Sequence, residues 1–248
     1  MLNILIPMGA RSSFFDVKEY PFPVPLIEVN GKSIIERALA SFRKIKGRKR
    51  FIFVVSRADC DKYHIDSVLE LLTDGNCEIV RLHGETSGAA CSSLMAIKHI
   101  NNSDQLLISN GDQILEDDLG SVVDGFRKKF DAGVVCFETV HPRWSYVRLD
   151  EKGLVIEAAE KRPLSNKAIA GLYYFRKGSD FVSAAMRSIK KDASVNGVYY
   201  IAPTLNELVL DGKRIGVYKI ANECYHTLYS PQKVKEYESI LSASGRIK

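Results

Sequence analysis

The 248-residue chain, 46% hydrophobic and 26% charged, has the composition of an ordinary globular protein with ample apolar side chain for a sizeable core. Collagen-like, disordered and membrane-embedded classes are excluded on that ground. Net charge is +5, a mild excess that suits anionic small substrates. The one basic cluster, Arg43, Lys44, Lys46, Arg48, Lys49 and Arg50, follows a helical pattern and reads as a solvated helix end, where cations offset the macrodipole, rather than as a nucleic-acid surface. Five cysteines with no CxxC spacing indicate neither a disulfide framework nor a zinc site, so a reducing cytoplasm is expected. The first apolar run meets Pro7 and Gly9 quickly, and no apolar stretch reaches the length of a membrane span. Neither export nor insertion is signalled.

In chain order, Asn3 to Pro7 reads as a buried strand. A helix follows over Lys32 to Lys46, with Ile35, Ala38, Leu39, Phe42 and Ile45 on one face and Ser33 and Glu36 spaced as a capping box. The cycle then repeats: strand Phe51 to Ser56, helix Asp61 to Thr73, strand Glu78 to Leu82, helix Gly88 to Ile100, strand Gln105 to Ser109, helix Asp118 to Phe130. Such alternation implies a mostly parallel sheet covered on both faces. From Ala132 the character changes to strand-like runs over 132–139, 145–149, 154–160 and 168–175, a mixed extension of the sheet. Helices over 179–190 and 203–210, a strand over 214–220 and a helix from Pro231 close the chain. No linker or internal repeat interrupts it, so a single domain over residues 1–248 is expected.

In open parallel sheets, ligands sit beyond the carboxyl ends of the strands. Three loops are expected there. The first, Met8, Gly9, Ala10, Arg11, Ser12 and Ser13, has small residues through which backbone N–H groups approach an anion, with Arg11 as a phosphate contact; an ordinary strand-to-loop turn is the alternative. The second carries Thr86, Gly88 and Ala89 into a helix, either for a ligand or for close helix–sheet packing. The third, Asn110, Gly111 and Asp112, follows a wholly apolar strand and puts a carboxylate where a hard cation would sit between phosphates; a capped Asn-Gly-Asp turn is the competing reading. Further on, Glu160 and Lys161 end a strand, and Gly171 in the next strand offers a backbone opening, together suggesting a phosphate-bearing second substrate. The five histidines show no metal-pair spacing, and no nucleophile–base order stands out.

As an ordered set, "ILIPMGARSSFF", "YPFPVPLIEVNGKSIIE", "TSGAACSSLMA", "LLISNGDQ", "HPRWSYVRLDEKGLVIEAAEKRPLSNKAIAGLYYF" and "YSPQKV" resemble the sugar-phosphate nucleotidyltransferases, in particular the short bacterial members of capsule and O-antigen pathways. The resemblance covers almost the whole chain. It implies a Rossmann-like three-layer α/β sandwich with a nucleotide-binding part over 1–140 and a second-substrate part over 141–248. It also implies a magnesium-dependent reaction in which a sugar 1-phosphate or other phosphomonoester attacks the α-phosphorus of a nucleoside triphosphate. On this likeness Met8 to Ser13, Thr86, Gly88, Ala89, Asn110 and Gly111 bind the nucleotide, Asp112 binds magnesium, and Glu160, Lys161 and Gly171 line the second site. Arg11, Asp112 and Lys161 are the candidate catalytic residues, and a homo-oligomer is compatible with the sequence. Three positions depart from the family pattern: Phe14 and Val24 stand where basic residues are usual, and Thr227 stands near a second metal-binding aspartate. Arg11, Lys18 or Lys32 would then supply the missing positive charge. Two other readings follow: a nucleotide or nucleotide-sugar binder without turnover, and a glycosyltransferase of similar (GT-A-like) architecture.

Overall fold

The computed structural model describes residues 1–10 and 12–243, so Arg11 lies outside the described residues. The first part of the chain forms β1 (Leu2–Pro7), a small ribbon of β2 (Glu28–Val29) and β3 (Lys32–Ser33), α1 (Ile34–Ala40), β4 (Lys49–Ser56), α2 (Arg57–Tyr63), α3 (Ile65–Leu72), β5 (Cys77–Leu82), α4 (Ala89–Leu94), α5 (Ile97–Ile100) and β6 (Gln105–Ser109). It continues through β7 (Gln113–Leu115), α6 (Leu119–Lys129), β8 (Ala132–Glu138), β9 (Ser145–Leu149), β10 (Val155–Glu160), β11 (Lys167–Phe175), α7 (Gly178–Lys190), α8 (Thr204–Leu210), β12 (Ile215–Lys219), β13 (Tyr225–Thr227) and α9 (Pro231–Ala243).

Strands β6, β1, β4 and β5 lie side by side and parallel, and β11 joins antiparallel to β6. Around β11 the nine-stranded sheet adds β8 with β12 on one side and β9 with β10 on the other. The pleat divides the strand residues between two cores. Ile4 and Ile6 of β1 pack in the cluster that holds Ile35 and Leu39 of α1, Leu69 of α3 and Phe126 of α6. Leu5 packs in the other, with Ile100 of α5, Phe181 of α7 and Leu208 of α8. Burial of alternate side chains on both faces is what a period of two demands of a covered sheet. The α/β sandwich expected from the sequence is therefore observed.

Several element boundaries differ from expectation. The helix expected over 32–46 begins at Ile34, where Ser33 Oγ accepts the Glu36 N–H at 3.2 Å, and ends as a helix at Ala40, with turns continuing beyond it. Lys49 Nζ donates to the Ile45 carbonyl at 2.7 Å, beyond those turns, so the basic cluster lies past the helix rather than at its end. The helix expected over 61–73 is two helices, broken where His64 takes a left-handed φ of 52°. Strands β7 and β13, three residues each, pair antiparallel with Gln113 opposite Thr227. They are too short for a periodic signal. This ribbon carries the C-terminal segment to β6, and a third cluster, with Phe15, Ile27, Ile114, Leu228 and Tyr237, fixes the proline-framed loop and α9 against it.

Candidate functional site

Chain order reverses between β1 and β6: the strands that follow β1 spread to one side, while β6 returns on the other. At such a switch point the loops part and leave a crevice beyond the carboxyl ends. A cavity of about 360 Å³ lies there. Met8, Ala10, Ser12, Ser13 and Phe14 of the first loop form one wall, Val24 and Pro25 of the proline-framed loop another, and Asn110, Gly111 and Asp112 the third, with Tyr229 closing the rim. A larger open cavity, about 470 Å³, lies at Met1, Gly47 to Arg50 and Asn76, toward the amino ends of β1 and β4. It has no carboxylate, and its Arg50 is already bonded to Asn3 and Glu78.

Asp112 reaches the cavity because β6 ends in a tightly packed turn at Gly111. A Cβ on Gly111 would sit 3.1 Å from Ile6 Cγ2, and the Asn110 N–H donates to the Gly171 carbonyl at 3.3 Å. The Leu228 N–H in turn donates to the Asp112 carbonyl at 2.7 Å, tying the C-terminal ribbon to this turn. Burial pushes the Asp112 carboxyl above the ordinary carboxylate range, against a bond from its own backbone N–H and the field of Arg143. A half-buried carboxylate facing the cavity with so little compensation is placed to take a cation.

In the first loop, a Cβ on Gly9 would meet Leu82 Cδ1 at 2.6 Å, so that glycine serves close packing on the end of β5. Ser12 Oγ accepts the Phe14 N–H at 3.2 Å and donates to the Tyr229 carbonyl at 3.5 Å. Phe14 stands edge-on to Tyr229, centroids 5.4 Å apart. The Arg143 guanidinium lies 3.8 Å from the centroid of the same Tyr229 ring and donates to its hydroxyl, with Trp144 at 4.9 Å.

Thr86, Gly88 and Ala89 do not line this cavity. Gly88 has φ 118°, and a Cβ there would fall 2.4 Å from the Tyr199 carbonyl oxygen. The Tyr199 N–H donates to Ser87 O at 2.7 Å, and the Ala90 N–H donates to Tyr199 O at 3.0 Å, so residues 198–200 form a strap across the loop. The Thr86 hydroxyl lies 2.5 Å from that of Ser92. Two of the three expected loops thus share one cavity, and the third is tied down beside it by backbone packing.

In the second half, the Ser145 hydroxyl donates to Glu160, whose carboxyl is raised chiefly by burial and drawn back by that bond and by Lys161. Lys161, in a left-handed conformation (φ 53°), has its ammonium 5.1 Å from the Tyr200 ring, and a hydrogen bond with the Tyr200 phenol raises its pKa. The opening expected at Gly171 is filled by the protein itself. At φ 57°, a Cβ would sit 2.3 Å from Gln113 Oε1 and 2.6 Å from Asn110 Nδ2, so glycine is required by the turn that presents Asp112. Lys32, proposed above as a substitute cation, pairs with Glu36 at 3.2 Å and lines a groove between α1 and α9 instead. Lys18 is exposed and does not line the cavity.

Residues 21–214 match the family model described as Nucleotidyl transferase. The chain belongs to that family. The Bifunctional protein GlmU of Methanocaldococcus jannaschii is 28% identical over 158 residues, 62% of this chain. The chain spans about a third of that relative's length, 35%. The nucleoside-diphosphate-sugar pyrophosphorylase from Vibrio cholerae RC9 superposes with a TM-score of 0.82 at 24% identity, covering 95% of this chain and 99% of that one, which shows the shared fold.

In this nucleotidyl transferase no cluster of three or more His, Cys, Asp or Glu is arranged for a metal among the described residues. Asp112 is the carboxylate that lines the cavity, and Thr227, opposite Gln113 in the ribbon, brings a hydroxyl rather than a second one. One carboxylate still fits magnesium, which keeps its waters and binds largely through substrate phosphates. The five cysteines are free thiols, and no helix among the described residues is long and apolar enough to cross a membrane. Sequence reasoning missed Arg143, Tyr229, Ser145 and Tyr200. Arg143, Ser145 and Tyr229 lie within the stretches that carry the family resemblance, but no spacing there marks them out, and each reaches the site through a loop or a strand end.

Proposed function

We propose that this nucleotidyl transferase joins a nucleoside triphosphate to a sugar 1-phosphate or related phosphomonoester, releasing pyrophosphate and making an activated precursor for surface polysaccharide in the cytoplasm. The observation that carries the reading is that Asp112 and the small-residue loop of Ala10, Ser12 and Ser13 line one cavity at the β1/β6 switch point. An oxygen of the monoester phosphate forms a bond to the α-phosphorus as the bond from that phosphorus to the pyrophosphate oxygen breaks. Asp112 would hold a magnesium ion that neutralises charge on the triphosphate. The Ser12–Ser13 turn and its backbone N–H groups position the phosphates, and Glu160 and Lys161 orient the second substrate.

The test is pyrophosphate release from each common nucleoside triphosphate paired with a panel of sugar and alcohol phosphates. One productive pair supports the reading, and no turnover from folded protein with every pair sinks it. A second reading, nucleotide binding without turnover, is favoured by the apolar walls at Phe14 and Val24. Thermal stabilisation by a nucleotide with no product would establish it.

The raised carboxyl of Glu160 predicts a pH dependence. Its ionised form, the better acceptor for sugar hydroxyls, accumulates only above the ordinary carboxylate range, so the KM of the second substrate should fall as pH rises through that region. Glu160→Gln should flatten the profile and leave the nucleotide KM unchanged. A profile identical in the two proteins would remove Glu160 from the second site.

A further inference from the structure

The cavity poses a charge problem. A triphosphate carries several negative charges, Asp112 adds another, and the walls at Phe14, Val24 and Pro25 are uncharged. Phosphate chemistry of this kind depends on preorganised positive groups. Among the described residues, the nearby cations are largely spent elsewhere. Lys32 pairs with Glu36, Arg37 donates to the carbonyls of Val29 and Asn30, and Lys161 is already assigned to the second substrate.

Arg143 is different. It precedes β9 and is exposed, and its side chain meets the Tyr229 hydroxyl and the rings of Tyr229 and Trp144 rather than a carboxylate. Its guanidinium lies over Tyr229, a residue of the cavity rim, and against Trp144, and one of its amino groups donates to the Tyr229 hydroxyl. The field of Arg143 also reaches Asp112. The bond to the Tyr229 hydroxyl uses one donor of a guanidinium that has five, so others remain for phosphate oxygens. Aromatic rings on a guanidinium fix its orientation at little cost to its charge. Phe14, edge-on to the same Tyr229, completes the platform. The side chain that stands where a basic residue is usual therefore buttresses a ring that carries a basic residue from elsewhere in the chain.

We infer that Arg143, held on Tyr229 and Trp144, is the phosphate-binding cation of this cavity and takes the place of the basic groups absent at Phe14 and Val24. The inference rests on the reading of the cavity as a phosphate-ester site, but it concerns binding rather than turnover. The test therefore uses inorganic pyrophosphate with magnesium, followed by calorimetry and by emission of Trp144, the single tryptophan of the chain. The parent protein should bind saturably with a change in emission. Arg143→Met should bind roughly tenfold to a hundredfold more weakly by calorimetry, the range for losing a charge-assisted bond, with an unchanged unfolding temperature. Arg143→Lys keeps the charge but not the fork and should fall between them; it carries the comparison if the methionine variant unfolds. Pyrophosphate bound equally well by parent and variants, or not bound by the parent, overturns the inference. Pyrophosphate binding that depends on Arg143, in a protein that yields no product with any substrate pair, leaves the inference standing and sinks the transferase reading alone.

Discussion

Asp112→Asn is expected to slow pyrophosphate release by ~10²–10³ while leaving the metal-free protein at least as stable as its parent. The two effects have one cause. Burial holds the folded-state pKa of Asp112 above its unfolded value, so the folded protein binds that proton more readily than the unfolded chain does. From the ordinary carboxylate range upward, stability contributed by this group is lost as pH rises. Once pH exceeds the folded pKa, the cost of holding a charge at this half-buried position is present. Asparagine removes that cost at neutral pH and keeps nearly the same shape. What it also removes is the anchor for a divalent cation, and one preorganised electrostatic group is typically worth ~10²–10³ in rate. Thermal unfolding with and without magnesium, beside the pyrophosphate assay, separates the terms. Magnesium should stabilise the parent and not the variant. A variant that keeps its turnover, or one that loses several degrees of stability without metal, would show Asp112 to be a structural turn residue.

The sequence reveals Asp112 because a carboxylate three residues beyond a strand centred on Leu106, Leu107 and Ile108 is conspicuous on its own. It reveals the layered sheet for a similar local reason: the alternation of Ile4, Leu5 and Ile6 between two cores is written in consecutive residues. It does not reveal the break at His64, because His is enriched in the left-handed region but adopts it too rarely to interrupt a helical pattern on its own. Arg143 and Tyr229 are separated by 86 positions and meet only because the β7/β13 ribbon returns the chain to β6. Loss of the usual cations at Phe14 and Val24 can be read in one dimension, whereas the group that replaces them can be found only in three. Gly88 and Gly171 mark an intermediate case. A glycine announces that something comes close, but not whether that is a ligand or the protein's own chain.

Gly88→Ala decides that question for the loop after β5. Its φ of 118° with ψ 176° lies in a region that L side chains rarely adopt, and the added methyl would press on backbone atoms, 2.4 Å from Tyr199 O and 2.8 Å from Tyr199 N. Backbone cannot rotate aside as a side chain can, so the 198–200 strap must lift and give up the Tyr199 N–H to Ser87 and Ala90 N–H to Tyr199 bonds. Strain of about 1–3 kcal/mol and two bonds of about 0.5–1.5 kcal/mol each put the loss at roughly 2–6 kcal/mol. In a domain of this size that corresponds to an unfolding temperature lower by on the order of 10 °C. The next residue in the strap, Tyr200, holds the ammonium of Lys161, so lifting it also releases the lysine assigned to the second substrate. Below its melting range the variant should therefore show a higher KM for the monoester. Were Gly88 glycine only for the sake of a ligand, nucleotide affinity would fall while the unfolding temperature and the monoester KM stayed put, and the strap would lose its role as the link between the two halves of the site.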